Sequence, residues 1–320
     1  MTKTSASSRV VVVYNPALRA LKSLQNAITS QLATHGLPEA VWVAAQPGMD
    51  DALAAQLPGA VLVLVLGGDG LVRSVAEHLV VTDIPLGIIP VGTGNLLARN
   101  LHLPIADSKK ALSIALGDEE LAIDVARLML QHQDQKSTHT FMVMAGIGLD
   151  AAMAGEANFE MKKRLGWLAY VAPIVRSVVR NNQHHMVLEL DDRKPVPLKA
   201  HTAIVGNCGT LTANLLLLPA AELADGKLDV VVLNPKAITG WTRIWSRLAI
   251  SGALVRSKPG RALLKTAPPI SALQYGQFRH LKLALNSPQP VQIDGDVVGE
   301  ASTLTVDVLP QALRVRVAAH

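Results

Sequence analysis

A chain of 320 residues that is 49% hydrophobic but only 3% aromatic has the length for two domains, with cores built from Leu, Val, Ala and Ile. Its net charge of +5 favours an acidic partner, whether nucleotide, anionic lipid surface or nucleic acid. The single cysteine, Cys208, excludes an internal disulfide and a Cys/His zinc cluster.

Met1 to Arg9 is rich in Thr and Ser and lacks the apolar run of a signal peptide. No apolar run approaches the roughly 20 residues of a spanning helix. The expectation is a cytoplasmic protein whose membrane contact, at the inner face, is only peripheral.

Residues 9–14 (RVVVVY) predict a buried strand that stops at Asn15-Pro16. Leu18 to Gly36 carries Leu21, Leu24, Ile28 and Leu32 at helical spacing. Ala40 to Ala44 reads as a second strand and Asp50 to Leu57 as a second helix. Val61 to Leu66 (VLVLVL) then runs straight into Gly67-Gly68-Asp69-Gly70, and Leu71 to Val80 has helical spacing. Pro85 to Val91 is a further strand, followed by Gly92-Thr93-Gly94-Asn95 and a short helix from Leu96. Strand alternating with helix predicts a doubly wound α/β domain with a parallel sheet. Two glycine turns then lie beyond the carboxyl ends of its strands, where such sheets bind ligands. A strand, a glycine turn and a helix N-terminus suit phosphate, and Asp69 in that loop suits a metal between carboxylate and phosphate.

After Ile123-Asp124-Val125 the pattern changes. Residues 126–145 predict two strands around a polar loop, Gln131 to His139. Asn158 to Val179 reads as a helix with Lys162-Lys163-Arg164 near its start. From Met186 onward, MVLEL, KAHTAIVGN, KLDVVVL, HLKLAL, PVQID, TLTVDVL and LRVRV predict short strands of a β-sandwich-like domain. The expected division is an α/β domain over 1–125 and a β domain over 126–310, with a strand near 311–320 that can return to the first. Residues 238–255 break the β pattern as a helix with Trp241, Ile244, Trp245 and Leu248 on one face and Arg243 and Arg247 beside it. A basic helix carrying Trp fits an interfacial anchor, and it equally fits an amphipathic helix packed on the sandwich.

GGDG at 67–70 followed by GTGN at 92–95 resembles the diacylglycerol kinase catalytic-domain family, the bacterial soluble lipid kinases related to sphingosine kinases. The likeness continues through Asn15-Pro16, Leu97-Ala98-Arg99, Asp124, Ala145 to Ala151, Gly206-Asn207, Leu218-Pro219-Ala220, Asp225 to Asp229 and Asp294-Gly295-Asp296. The resemblance implies an α/β ATP-binding domain beside a β-sandwich lipid domain. It also implies an ATP- and Mg²⁺-dependent transfer of a γ-phosphoryl group to the hydroxyl of a diacylglycerol-like lipid.

Residue by residue, the resemblance assigns Asn15, Gly67, Gly68, Gly70, Gly92, Thr93, Gly94 and Asn95 to the nucleotide. Asp69 becomes the Mg²⁺ anchor, Asp124 a member of the acidic network and Asp296 the base. Asp225 and the Lys227 carbonyl, with Glu222 nearby, become a second, structural metal site. Each carboxylate has a plainer reading beside that one: Asp69 caps a helix, Asp124 is a turn, and Asp294-Gly295 and Asp225-Gly226 are ordinary Asp-Gly turns.

The chain departs from the family pattern at Leu71, where Thr is usual, and at Ser74 and Leu96, where carboxylates are usual. These departures keep open a non-catalytic lipid- or nucleotide-binding regulator. An NAD-kinase-like phosphotransferase is a further alternative, because those enzymes share GGDG. Nucleic acid is not expected as a partner, since the basic residues are dispersed and aromatic stacking platforms are lacking. The expected partner is a lipid substrate, and a homodimer is compatible with the sequence.

Overall fold

The computed structural model describes residues 8–148, 183–211, 215–234 and 273–319. The helix expected at 158–179, the Trp-bearing helix at 238–255 and the motif residues Leu149, Asp150 and Ala151 lie outside them. The chain divides into two compact units, Met1–Ile123 with Gln311–His320, and Asp124–Pro310.

The first unit is a parallel sheet with helices on both faces. Its strands are β1 (Arg9–Tyr14), β2 (Ala40–Ala44), β3 (Ala60–Gly67) and β4 (Leu86–Pro90), in the order β4-β3-β1-β2. Registers are parallel throughout: Val13 lies beside Val43 on one side and Val65 on the other, and Val65 lies beside Ile88. The end of the long β14 (Asp296–Arg316) adds a further parallel neighbour, Val315 against Leu86.

The near-continuous apolar runs of β1 and β3 follow from burial on both faces. Val10, Val12, Leu62, Leu64 and Leu66 face α1 (Leu21–Thr34) and α5 (Ser108–Ala115), where Ile28, Leu32, Leu112 and Ala115 complete the cluster. The alternate residues Val11, Val13, Val63 and Val65 are also fully buried, on the side of α2 (Met49–Gln56) and α3 (Asp69–Leu79).

Helix α3 begins at Asp69, inside the GGDG motif, two residues earlier than its apolar spacing predicts. Gly68 is its extended N-cap residue, so the turn itself is only two glycines deep. Helix α5 was not expected from the sequence. Its signal is Asp107, whose Oδ1 accepts from the Lys109 and Lys110 amides as an N-cap.

The second unit is an antiparallel β-sandwich. The path β12 (Leu273–Phe278), β11 (Leu228–Leu233), β10 (Thr202–Gly206), β7 (Met144–Ile147), β13 (His280–Ile293), β14 carries most of it. β8 (His184–Leu190) pairs with β13 and with β9 (Val196–Ala200). β5 (Glu120–His132) pairs with β14 and with β6 (Gln135–Phe141). Phe141, Leu228, Phe278, Leu281, Leu283, Val291 and Val306 pack in its core.

Several expectations are corrected here, among them TLTVDVL and LRVRV, which are both part of β14, and KAHTAIVGN, which is divided between β9 and β10. The stretch Gln131 to His139 is not a long loop. β5 and β6 pair as far as His132 opposite Gln135, which leaves a two-residue tip. A largely exposed strand on which only the last residue is buried has no apolar alternation to announce it. HLKLAL and PVQID are likewise one strand, β13. Its register jumps between Ala284 and Gln289, so Asn286-Ser287-Pro288 is a bulge within the strand rather than a loop between strands.

Candidate functional site

The two glycine turns meet backbone to backbone in the first unit. A Cβ built on Gly92 would lie 2.5 Å from the Gly68 Cα and 2.8 Å from Asn95 Oδ1. The reverse contact is looser: a Cβ on Gly68 would lie 3.3 Å from the Gly92 Cα. Neither glycine has a positive φ. They are needed here for close approach and not for torsion.

The second turn is closed by its own side chains. Asn95 is buried, with a left-handed backbone (φ 49°). Its Oδ1 accepts from the Gly92 amide at 3.1 Å, and its Nδ2 donates to the Gly92 carbonyl at 2.7 Å. Arg99 Nε donates to the Gly94 carbonyl at 2.7 Å. Thr93 is exposed at the tip. On β1, Asn15 is exposed and its Oδ1 accepts from the Ala17 amide at 2.9 Å, an Asx turn at the strand end.

Asp69 reaches from the first turn into the second. Its Oδ1 accepts from the Leu97 amide at 3.3 Å, at the start of α4 (Leu96–Asn100). Burial pushes its carboxyl above the usual range, against the pull of the Leu97, Leu96 and Asn95 amides and of the Arg99 guanidinium. Gly94 leaves room for this carboxylate, since a Cβ there would stand 2.8 Å from Asp69 Oδ2.

The positions that depart from the family pattern are used locally. Leu71 packs over Gly67, where an added Cβ would lie 2.7 Å from Leu71 Cδ2. Ser74 Oγ donates to the Gly70 carbonyl at 3.2 Å. Leu96 is buried. Asp69 gives these turns one carboxylate, and Mg²⁺ is ordinarily held by one or two carboxylates together with water and substrate phosphates. Among the described residues no group of three or more His, Cys, Asp or Glu side chains is placed to hold a metal ion.

The acidic residues of the second unit that the motifs contain occupy two places. Asp124 is fully buried. Its Oδ2 accepts from the Gly226 amide at 2.6 Å, its carbonyl accepts from Asn207 Nδ2 at 2.8 Å, and its amide donates to the Leu223 carbonyl at 2.7 Å. It therefore ties the two ends of the β10–β11 connection, at Asn207 and at Leu223 to Gly226, to β5. Beside it, Asp225 Oδ1 accepts from the Lys227 amide at 3.0 Å, with Gly226 at φ 72°. Asp229, which the sequence reading did not single out, is buried on β11 and accepts from Gln277 Nε2 at 3.3 Å. Burial first, and the charges of Asp225 and Glu222 with it, push its carboxyl up to about 6.

The second place is the β13–β14 hairpin. Asp294 (φ 51°) and Gly295 (φ 94°) are its two central residues, with Ile293 opposite Asp296. Positive φ at both centres is the type I′ hairpin turn. Asp294 Oδ1 accepts from the Met144 amide at 3.1 Å, and the Asp294 amide donates to the Met144 carbonyl at 3.1 Å. Asp296 opens β14 and is exposed.

Comparison with known proteins follows the same division. Residues 9–128 match the diacylglycerol kinase catalytic domain. Residues 143–317 match the YegS C-terminal NAD kinase β-sandwich-like domain. A diacylglycerol kinase of Mycobacterium tuberculosis is 32% identical over 192 residues, which are 60% of this chain and 61% of that protein. One of Bacillus subtilis is 23% identical over 240 residues, 74% of this chain and 72% of that protein. The crystal structure of a diacylglycerol kinase from Bacillus anthracis superposes with a TM-score of 0.70 at 18% identity, covering 97% of each chain. Yeast NADH kinase complexed with NADH gives 0.56 at 10% identity, over 99% of this chain and 85% of that one. The two structural likenesses speak to fold alone. With a catalytic-domain match followed by a C-terminal match that covers more than half of its length, this chain belongs to the lipid kinase family that joins a diacylglycerol kinase catalytic domain to a YegS-type β-sandwich.

Proposed function

We propose that this chain is an ATP-dependent lipid kinase that phosphorylates the hydroxyl of a diacylglycerol-like lipid. The observation that carries the reading is the contact between Gly68 and Gly92. It makes one exposed ledge of two glycine turns, at the carboxyl ends of adjacent parallel strands, where phosphates bind. Gly68 and Gly92 keep side chains off that ledge, with Gly70 beside them, while Gly67 lies beneath Leu71 and Gly94 against the Asp69 carboxylate; Thr93 stands at its tip and Asn15 at the end of β1. Mg²⁺ belongs to this proposal as the counter-ion carried in by the nucleotide, because the turns supply a single carboxylate.

In the transfer, the bond between the γ-phosphorus and the bridging oxygen of ATP breaks, and a bond from the lipid oxygen to that phosphorus forms. The hydroxyl proton goes to Asp296, whose exposure leaves it accessible to substrate. Positioning and charge neutralisation dominate such reactions, which suits a site built from backbone. Peripheral contact with the inner membrane face, where the lipid resides, is part of the same proposal. No helix among the described residues is long and apolar enough to cross a membrane.

The test is ADP release by the purified chain with ATP, Mg²⁺ and a panel of diacylglycerol, monoacylglycerol, a sphingoid base and ceramide in mixed micelles. ADP release that depends on one of these lipids is expected. ATP binding with no lipid-dependent turnover would favour a regulator, and phosphorylation of NAD(H) would favour the NAD-kinase-like alternative.

A further inference from the structure

We infer that Asp69 and Arg99 are positioning residues, a two-sided latch that fixes the second glycine turn against the first. The two side chains grip opposite sides of one turn. Asp69 takes the amide side at Leu97, and Arg99 takes the carbonyl side at Gly94. Each grip acts on backbone, so the latch sets the shape of the turn.

The surroundings of Asp69 agree with this role. The Leu97 amide donates to its carboxylate, and the Leu96 and Asn95 amides and the Arg99 charge act on it in the same sense. These donors oppose, without outweighing, the burial that raises its carboxyl. The two positions where the family carries further carboxylates are Ser74, whose hydroxyl is engaged with Gly70, and Leu96, which is buried. Gly94 has the space it needs because any side chain there would meet the Asp69 carboxylate.

The inference rests on the nucleotide site proposed above, yet the latch exists in the ligand-free chain, so the two can fail separately. The first measurement is amide hydrogen exchange on ligand-free full-length protein at Gly92, Thr93, Gly94, Leu96 and Leu97. Asp69→Ala and Arg99→Ala should each speed exchange there by about tenfold or more, the loss of one hydrogen bond to a charged group. Asp69→Asn retains the Oδ1 acceptor and should restore near wild-type protection. Wild-type exchange in Asp69→Ala would overturn the latch.

The second measurement is ATP affinity with excess EDTA and with Mg²⁺. Asp69→Asn should bind ATP within about threefold of wild type, and the ratio of its affinities with and without Mg²⁺ should be unchanged, because a positioning residue has no differential interaction with the ion. Loss of the Mg²⁺ effect in Asp69→Asn alone would make Asp69 a metal ligand and overturn the assignment. Should Asp69→Ala not fold, Asp69→Asn and Arg99→Ala still decide between the two. Should wild-type protein bind no ATP, the nucleotide site falls and the exchange data still judge the latch.

Discussion

The paired turns of the α/β unit and the Asp294-Gly295-Asp296 hairpin of the β unit use the same residue types for different physical reasons. At Gly68 and Gly92 the backbone torsions are ordinary, and what demands glycine is the approach of another backbone. At Gly295 the demand is torsional, a φ of 94° at the second centre of a type I′ turn. Asp69 spends its carboxylate on the amides of a neighbouring turn, and Asp294 spends its own on the Met144 amide. Asp296, one residue beyond the hairpin turn, is the exposed member of the set. An Asp-Gly or Gly-Asp-Gly motif therefore does not announce a role. The role depends on whether the constraint comes from contact, torsion or solvent.

That contrast can be broken at Gly92 first. Gly92→Ala places a methyl 2.5 Å from the Gly68 Cα, against a backbone that cannot rotate away. A loss of about 3 kcal/mol is expected, at the upper end of overpacking costs. Gly68→Ala faces 3.3 Å and should lose less than about 1 kcal/mol. Urea unfolding of both variants checks the asymmetry, and equal losses would remove close approach as the reason for the glycines.

Asp229 sharpens the comparison from the β unit. Its folded pKa of about 6 lies above the roughly 3.9 of an unfolded aspartate. Between those values the folded chain holds a proton that the unfolded chain releases. Stability therefore falls as pH rises from about 4 to about 6 and levels off above that. Asp229→Asn should flatten this slope and stabilise the protein above pH 6 by about 1–2 kcal/mol. Melting temperatures at pH 4.5 and pH 8 would show it, with the pH-dependent gap smaller in the variant.

A purely torsional effect is expected at Gly295. Gly295→Ala forces a Cβ into a left-handed backbone at a cost of about 1 kcal/mol. It should leave ATP affinity unchanged, while Gly92→Ala lowers it. A change in ATP affinity on Gly295→Ala would erase the distinction between the two regions.

The α/β and β-sandwich classes were legible because buried strands such as VLVLVL and KLDVVVL leave no polar alternative, and glycine turns mark their ends. β6 was not legible, since an exposed strand with a polar face looks like a loop. Nor was the continuity of β13, whose Asn286-Ser287-Pro288 bulge has the composition of a connection. The residues of the two turns were found from their spacing alone. Their arrangement was not, because a side chain that caps the amides of a turn 28 positions away in sequence leaves no local pattern. Asp124 shows the same limit. As a lone carboxylate after an apolar pair it reads as a turn or an acidic-network member, and its buried bonds to Asn207, Leu223 and Gly226 in the β10–β11 connection leave no local pattern.

The most direct measurement is transfer of labelled γ-phosphate from ATP to diacylglycerol by wild type and Asp296→Ala side by side, with melting temperatures for both. Label in the lipid fraction with wild type is expected, falling by about 10²- to 10⁴-fold in Asp296→Ala at an unchanged melting temperature. Undiminished lipid labelling by folded Asp296→Ala would contradict the account.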